Sequence, residues 1–330
     1  MNRRAFVAGL SATGTAKLLG LRPDAAAAEP PPETTTLRVA KSPAICFAPQ
    51  YVAGEQLLQA EGFTDLRYIK KSTGWEALSS GEADISAVDA PSLVAELDKG
   101  KPIVILTGLH VGCYELFGTT RVRTIRDLKG KEVAIPGLHS GRHLMLSTML
   151  AHVGLDPRKD VTWVTRPAAE SMRLFAEGRI DAYLGFPPEP QELRVKKIGR
   201  VVISTTLDRP WSQYFCCMMA ANRDFVQKNP IATKRAVRAI LKAAALCATE
   251  PVRTARLLVE RGFVGSSEYT QQMLTELPYS SWSDYDPEDT LRFYALRLHE
   301  SGLIKSSPQK ILANAADWRF LKELKKELKG

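Results

Sequence analysis

The sequence predicts an α/β protein of two similar units followed by a mainly helical segment. Three observations carry this. Short apolar runs alternate with stretches of helical period from residue 37 to about 204. The alternation restarts at Lys131. And Gly81-Glu82-Ala83-Asp84-Ile85 in the first unit is echoed by Gly178-Arg179-Ile180-Asp181-Ala182 in the second. In each echo a glycine stops a helix and an acidic residue opens an apolar strand. Such alternation is the mark of a mainly parallel sheet, whose ligands sit at the carboxyl ends of the strands. Two such units facing one another enclose a cleft.

In the first unit, strands are expected at 37–40, 66–70, 84–88 and 103–106, the last a continuous apolar run as in a fully buried strand. Helices are expected at 50–61, at 72–78 and at 91–99, with Gly62, Gly81 and Gly100 as stops. In the second unit, strands are expected at 131–136, 161–164, 180–184 and 201–204, and helices at 142–153 and 168–177. Residues 214–220 read as a buried strand in which Cys216 and Cys217 point to opposite faces. Helices follow at 231–247, 251–261, 269–277 and 287–301. In the tail, Lys and Glu alternate around Phe320, Leu321, Leu324 and Leu328, as on a helix with one solvated face.

The 330 residues allow about two domains, and a core of that size needs no disulfide staples. Charged residues make up 25% and hydrophobic ones 45%, which excludes a disordered chain. Residues 1–28 read as a twin-arginine export signal: Arg3-Arg4, an apolar run, then four alanines at 25–28. Residues 29–36 are a linker. No cysteine follows the alanines, so a periplasmic protein without a lipid anchor is expected. Removing the signal takes away four basic residues and one acidic, and the net charge falls from +9 to +6. No basic stripe is interleaved with aromatics, so nucleic acid is not an expected partner. Five cysteines, with no CxxC, are expected to remain free at least in part. His110 with Cys113, and His139 with His143, are close in sequence, but nothing joins the two pairs into a four-ligand set. Neither metal nor cofactor is expected.

Several stretches together resemble a known family. They are Ala48-Pro49-Gln50-Tyr51-Val52-Ala53, the Gly81 motif with Pro91, residues 100–108, residues 125–134, Gly154-Leu155-Asp156-Pro157 with Asp160-Val161, and the Gly178 motif. In order and spacing they are similar to solute-binding proteins of ABC importers, in the group that takes nitrate, sulfonates, taurine and thiamine-pyrimidine precursors. The resemblance implies a type-2 periplasmic binding fold: lobe one from 37–118 plus 212–330, lobe two from 119–211, and a ligand between them held by hinge closure. It implies a monomer that presents its small solute to membrane permease subunits.

Candidate ligand contacts follow. The turn at Gly137–Arg142 offers backbone N–H groups, the Ser140 hydroxyl, Gly141, His139 and the Arg142 guanidinium, and the family places ligand contacts there; this favours a small anion such as a sulfonate, nitrate or organic acid. The matching turn in the first unit contributes Thr73 and Trp75. Ser42 and Phe47 follow the first strand, and Asp89 follows the third, either on the ligand or capping a helix. His110 and Tyr214 lie near the crossovers, and Phe186 follows a second-unit strand where Pro187-Pro188 reads as a rigid loop at the cleft mouth. A pyrimidine or other aromatic solute on Trp75, Phe47 or Tyr214 is the alternative, as is a ligand-sensing module for a membrane kinase. No catalysis is expected: there is no Gly-x-Ser-x-Gly, P-loop or Gly-x-Gly-x-x-Gly. Eukaryotic thiamine-pyrimidine synthases resemble these binding proteins. Their cysteine-rich motif is not reproduced by Phe215-Cys216-Cys217-Met218.

Overall fold

The computed structural model describes residues 29–42, 44–71 and 73–329. The signal expected at 1–28 lies outside them. Ten strands run in chain order: β1 (Thr36–Lys41), β2 (Asp65–Lys70), β3 (Ile85–Asp89), β4 (Ile103–Val111), β5 (Glu115–Gly118), β6 (Glu132–Ile135), β7 (Thr162–Thr165), β8 (Ala182–Gly185), β9 (Arg200–Ser204) and β10 (Phe215–Asn222). They form two five-stranded sheets, ordered β2-β1-β3-β10-β4 and β7-β6-β8-β5-β9.

Each sheet is mixed rather than mainly parallel. β1 pairs in parallel with β2 and β3, but β10 is antiparallel to both β3 and β4. In the second sheet β6 is parallel to β7 and β8, while β5 is antiparallel to β8 and β9. The reason lies in where the chain enters. β1, β3, β6 and β8 run toward the cleft, whereas β5 and β10 begin at the crossovers beside it and run away. Because β5 belongs to the second sheet, the first crossover falls at residues 112–114, not after 118. The two crossovers are tied together: Tyr114 N–H donates to Thr205 Oγ1 and Thr205 N–H to the Tyr114 carbonyl, each at 2.9 Å.

The internal echo is a shared clamp. Asp84 N–H donates to the Arg38 carbonyl (2.8 Å) while Arg38 N–H donates back to Asp84 Oδ2 (2.7 Å). Asp181 N–H donates to the Glu132 carbonyl (2.9 Å) while Glu132 N–H donates back to Asp181 Oδ2 (3.0 Å). Each carboxylate also binds an arginine, Arg38 or Arg121. The preceding Gly81 and Gly178 have φ of +72° and +69°, a conformation that suits glycine. The acidic residue thus locks the start of one strand to its neighbour in both halves.

Thirteen helices are described: α1 (Ala48–Gln56), α2 (Gly74–Ser79), α3 (Ala90–Asp98), α4 (Gly141–His152), α5 (Ala168–Ala176), α6 (Glu189–Val195), α7 (Arg223–Lys228), α8 (Pro230–Thr249), α9 (Pro251–Glu260), α10 (Ser267–Glu276), α11 (Pro287–Glu300), α12 (Pro308–Leu312) and α13 (Arg319–Lys329). α1 ends six residues before Gly62, because the N–H groups of Leu57 and Leu58 both turn to the Ala53 carbonyl. α13 buries Phe320, Leu321 and Leu324, and its Glu327 pairs with Lys234 and Arg238 of α8. The linker is docked on the fold: Glu33 accepts the N–H groups of Ile231 and Ala232, each at 2.9 Å, at the start of α8, and the Thr35 carbonyl accepts the N–H groups of Thr64 and Asp65. No helix among the described residues is long and apolar enough to cross a membrane.

Candidate functional site

A cavity of about 310 Å³ lies between the strand ends of the two sheets. The first half lines it with Ser42, Phe47, Thr73, Trp75 and Asp89, the second with His139, Ser140, Gly141, Arg142 and Phe186. Ten of the twelve residues picked from sequence therefore meet in one place. Tyr114 and Ser92 also line it and were not anticipated. Tyr114 sits in the first crossover, where no periodic pattern marks it.

Each wall is positioned by local chemistry. Ser42 is held by the buried Tyr51, whose hydroxyl accepts Ser42 N–H (2.8 Å) and donates to the Ser42 carbonyl (2.6 Å). Burial pushes that phenol up to about 12, so it stays a donor. Thr73 caps α2, accepting from Glu76 N–H, and Trp75 follows in the first turn, half-buried. On the facing wall the rings of Tyr114 and Phe186 lean together, centroids 5.0 Å apart.

The turn before α4 is a built cap. Ser140 Oγ accepts His143 N–H (3.3 Å) and donates to the Gly137 carbonyl (2.7 Å), so the hydroxyl is engaged inside its own turn. His139 adopts φ +63° and its N–H donates to His143 Nδ1 (3.1 Å). The two imidazoles are bound up with each other and with Trp163; among the described residues they join no metal-spaced group.

Among the described residues Arg142 is the one arginine or lysine on the cavity wall, and it is already neutralised. Its Nη2 donates to Glu189 Oε1 (2.7 Å) and its Nη1 to the Tyr183 hydroxyl. Tyr183 and Phe186 N–H both donate to Glu189 Oε2 (2.6 and 3.1 Å). The Arg142 and Glu189 side chains are only 12% and 14% exposed. Burial opposes the charge on Arg142, yet Glu189 and Tyr183 hold its pKa above the ordinary value. An open guanidinium fork, as the sequence suggested, is not what the fold presents.

Asp89 is the counterpart on the first wall. Its Oδ1 caps α3, accepting Ser92 N–H at 3.0 Å. The Ser92 side chain is a second partner of the carboxylate, and no other described residue hydrogen-bonds Oδ2. That oxygen reaches across to the first turn of α4: a Cβ built on Gly141 falls 2.8 Å from it, so this close approach of the two walls requires glycine. Burial, and then the neighbouring Cys217, push the Asp89 carboxyl up to about 6.

Two expected contacts lie elsewhere. Tyr214 stacks on Phe293 of α11, centroids 4.0 Å apart, and lines a separate polar depression with Asp284 and Asp286. His110 is wholly buried at the end of β4, below the cleft floor, edge-on to Tyr279.

The model of the NMT1-like family matches residues 30–260. The chain belongs to the NMT1-like family. It is similar to the 4-amino-5-hydroxymethyl-2-methylpyrimidine phosphate synthase THI5 of Saccharomyces cerevisiae, 26% identical over 192 residues, 54% of this chain and 55% of that one. The chain thus spans about half the length of these yeast relatives. Among solved structures, the nitrate-binding protein NrtA from Synechocystis PCC 6803 aligns with a TM-score of 0.71 and 18% identity, covering 91% of this chain and 90% of that one. The alkanesulfonate-binding protein SsuA from Xanthomonas axonopodis pv. citri, bound to MOPS, aligns at 0.70 and 18% identity, covering 87% and 99%. This NMT1-like chain therefore has the periplasmic binding protein fold, as its two facing sheets require.

Proposed function

We propose that the protein is an extracytoplasmic solute receptor whose cleft takes a small flat ring bearing an amino group, such as an aminopyrimidine. The observation that carries this is Asp89: a carboxylate that among the described residues only Ser92 hydrogen-bonds, in a cavity walled by Trp75, Phe47, Tyr114 and Phe186, opposite an arginine that Glu189 already neutralises. A ring N–H or amino group satisfies Oδ2, and the aromatic walls cover the ring faces. The aminopyrimidine in the name of the yeast relative supports the same chemistry.

A small anion is the second reading. The first turn of α4 faces the cavity at Gly141, and two fold neighbours are nitrate- and sulfonate-binding proteins. Asp89 Oδ2 beside Gly141 works against it, since the positive end of the helix already has a carboxylate at hand.

The receptor binds without chemistry and closes about the paired crossovers. It is exported under its twin-arginine leader and is read as a closed monomer by importer membrane subunits. Titration calorimetry on the full chain with 4-aminopyrimidine, nitrate and an alkanesulfonate tests the central claim. Saturable heat with the aminopyrimidine is expected, falling about tenfold to a hundredfold in Asp89→Asn, as for a lost charge-assisted hydrogen bond. Binding of nitrate or sulfonate, with none of the aminopyrimidine, overturns the ring reading in favour of the anion.

A further inference from the structure

Beneath the cleft floor, five metal-ligating side chains from four separate stretches of chain converge in the core. Cys46 comes from the short turn after β1, His110 from the end of β4, Cys113 from the first crossover, and Cys216 and Cys217 from the start of β10. None is more than 5% exposed. One donor atom each from Cys46, His110 and Cys217 lies within 4.8 Å of the other two, and the same holds for Cys113, Cys216 and Cys217. Cys113 and Cys216 sulfurs are 3.0 Å apart, and Cys216 and Cys217 sulfurs 3.8 Å.

The adjacent cysteines, expected on opposite faces of a strand, are gathered to one side. The register shows why. Phe215 pairs with Val111 and Cys217 with His110, so two steps on β10 match one on β4 and Cys216 is the extra residue of a bulge. A bulge breaks the alternation that would have separated the two thiols.

His110 supplies an independent sign. Its Nδ1 lies 3.2 Å from the Val111 carbonyl, a contact that uses the Nδ1 proton and leaves Nε2 with a lone pair. Nε2 is buried and has no hydrogen-bond partner. Metal-bound histidines are oriented in this way, by a carbonyl on the other ring nitrogen. Tyr279 adds outer support, donating its hydroxyl to the Cys46 carbonyl at 2.8 Å.

We propose that this cluster is a closed site for one thiophilic d¹⁰ ion, Zn²⁺ or Cu⁺, ligated by Cys46, His110, Cys217 and one of the pair Cys113 and Cys216. Tetrahedral thiolate sites with metal–sulfur bonds of about 2.3 Å hold their sulfurs roughly 3.8 Å apart, a spacing of the order found within each of the two triads, which share Cys217; one ion takes the Cys46, His110 and Cys217 triad and draws Cys113 or Cys216 in as its fourth ligand. Soft sulfur donors with one imidazole select Zn²⁺ or Cu⁺ over Mg²⁺ or Ca²⁺. With no opening to solvent, the ion enters as the chain folds, and it pins both crossover strands to the turn that carries Phe47.

The full chain, expressed with zinc or with copper in the medium, is to be analysed for metal content. About one equivalent of either ion is expected in the wild type, lost in His110→Ala and in Cys217→Ser and kept in Cys247→Ser, a buried cysteine on α8 outside the cluster. Refolding the wild type with Co²⁺ provides a second readout that does not depend on a variant folding. Thiolate-to-cobalt charge transfer with intense tetrahedral bands supports the site; the weak spectrum of octahedral cobalt overturns it. Absence of metal under both supplements overturns it, as does equal loss in Cys247→Ser. A count of three free thiols rather than five in the denatured chain also overturns it, because a Cys113–Cys216 disulfide would then occupy the cluster.

Discussion

Asp89 and Arg142 face each other across the cleft, one from each half, and both are charged residues at the end of a strand or the start of a helix. Their fates differ. Arg142 is enclosed by Glu189 and Tyr183, so its charge is consumed within its own half. Asp89 gives one oxygen to the cap of α3 and keeps the other toward the cavity. The difference teaches that the charge a cleft offers is the charge left after the protein's own pairing. That residue is negative here, although the chain as a whole is positive.

The strongest way to break this contrast is Glu189→Gln. It leaves Arg142 buried without its counter-ion, and a loss of about 3–5 kcal/mol in unfolding free energy is expected in denaturant titration. In whatever fraction stays folded, the freed guanidinium should bring measurable nitrate or sulfonate binding. No gain in anion affinity would mean that Arg142 does not reach the cavity. The wall of α4 also carries His143, whose imidazole is pushed down to about 4 by burial and then by His139. A histidine with a depressed folded pKa adds stability that is full above its ordinary 6.5 and is lost as pH falls toward 4. About 3 kcal/mol should disappear across that window. His143→Gln should flatten the acid limb of stability against pH; an unchanged slope would assign the acid sensitivity to other groups.

The two clamps sharpen the comparison at smaller scale. Asp84 is 3% exposed and Asp181 12%. Asp84→Asn is expected to cost about 2 kcal/mol and Asp181→Asn about 1, because the better-buried carboxylate has less water to fall back on. Equal costs would show that the hydrogen bonds alone, and not their burial, set the value. Smallest are the caps: Thr73→Ala and Ser140→Ala should each lower stability by about 1 kcal/mol, seen as a shifted denaturation midpoint. A Ser140→Ala effect confined to ligand binding would instead return its hydroxyl to the cleft.

Most elements were legible because their signals are local. The period of the apolar residues, the glycine stops and the proline starts identify β1 to β3, the start of β4, α3, α4, α8 to α11 and the tail helix within a few residues, while α7 and α12 were not expected. β5 escaped, since four residues carry no period and its partners in β8 and β9 are 64 to 89 residues away in sequence, as the pairing of Glu115 with Gly185 and Ser204 illustrates. α6 was masked by Pro187-Pro188, which read as a rigid loop. The cleft residues were found because they follow strand ends, where the chain must turn. Tyr214 was misplaced for the same reason: it stands just before β10 at the second crossover, but the face of Phe293 takes its ring.

The sequence by itself determined most of the strand and helix segments, the repeated glycine-and-acid motif, and which turns meet at the cleft. These depend on contacts between near neighbours and on periodicity, which a linear reading contains. The tertiary structure alone decided that Arg142 is neutralised by a residue 47 positions on, that Asp89 lines the cavity with Ser92 as its hydrogen-bond partner, and that a bulge at Cys216 brings Cys216 and Cys217 to one side, Cys217 beside Cys46 and His110. Those outcomes depend on which long-range partner reaches a side chain first and on one extra residue in a strand. Neither is a property of composition or spacing.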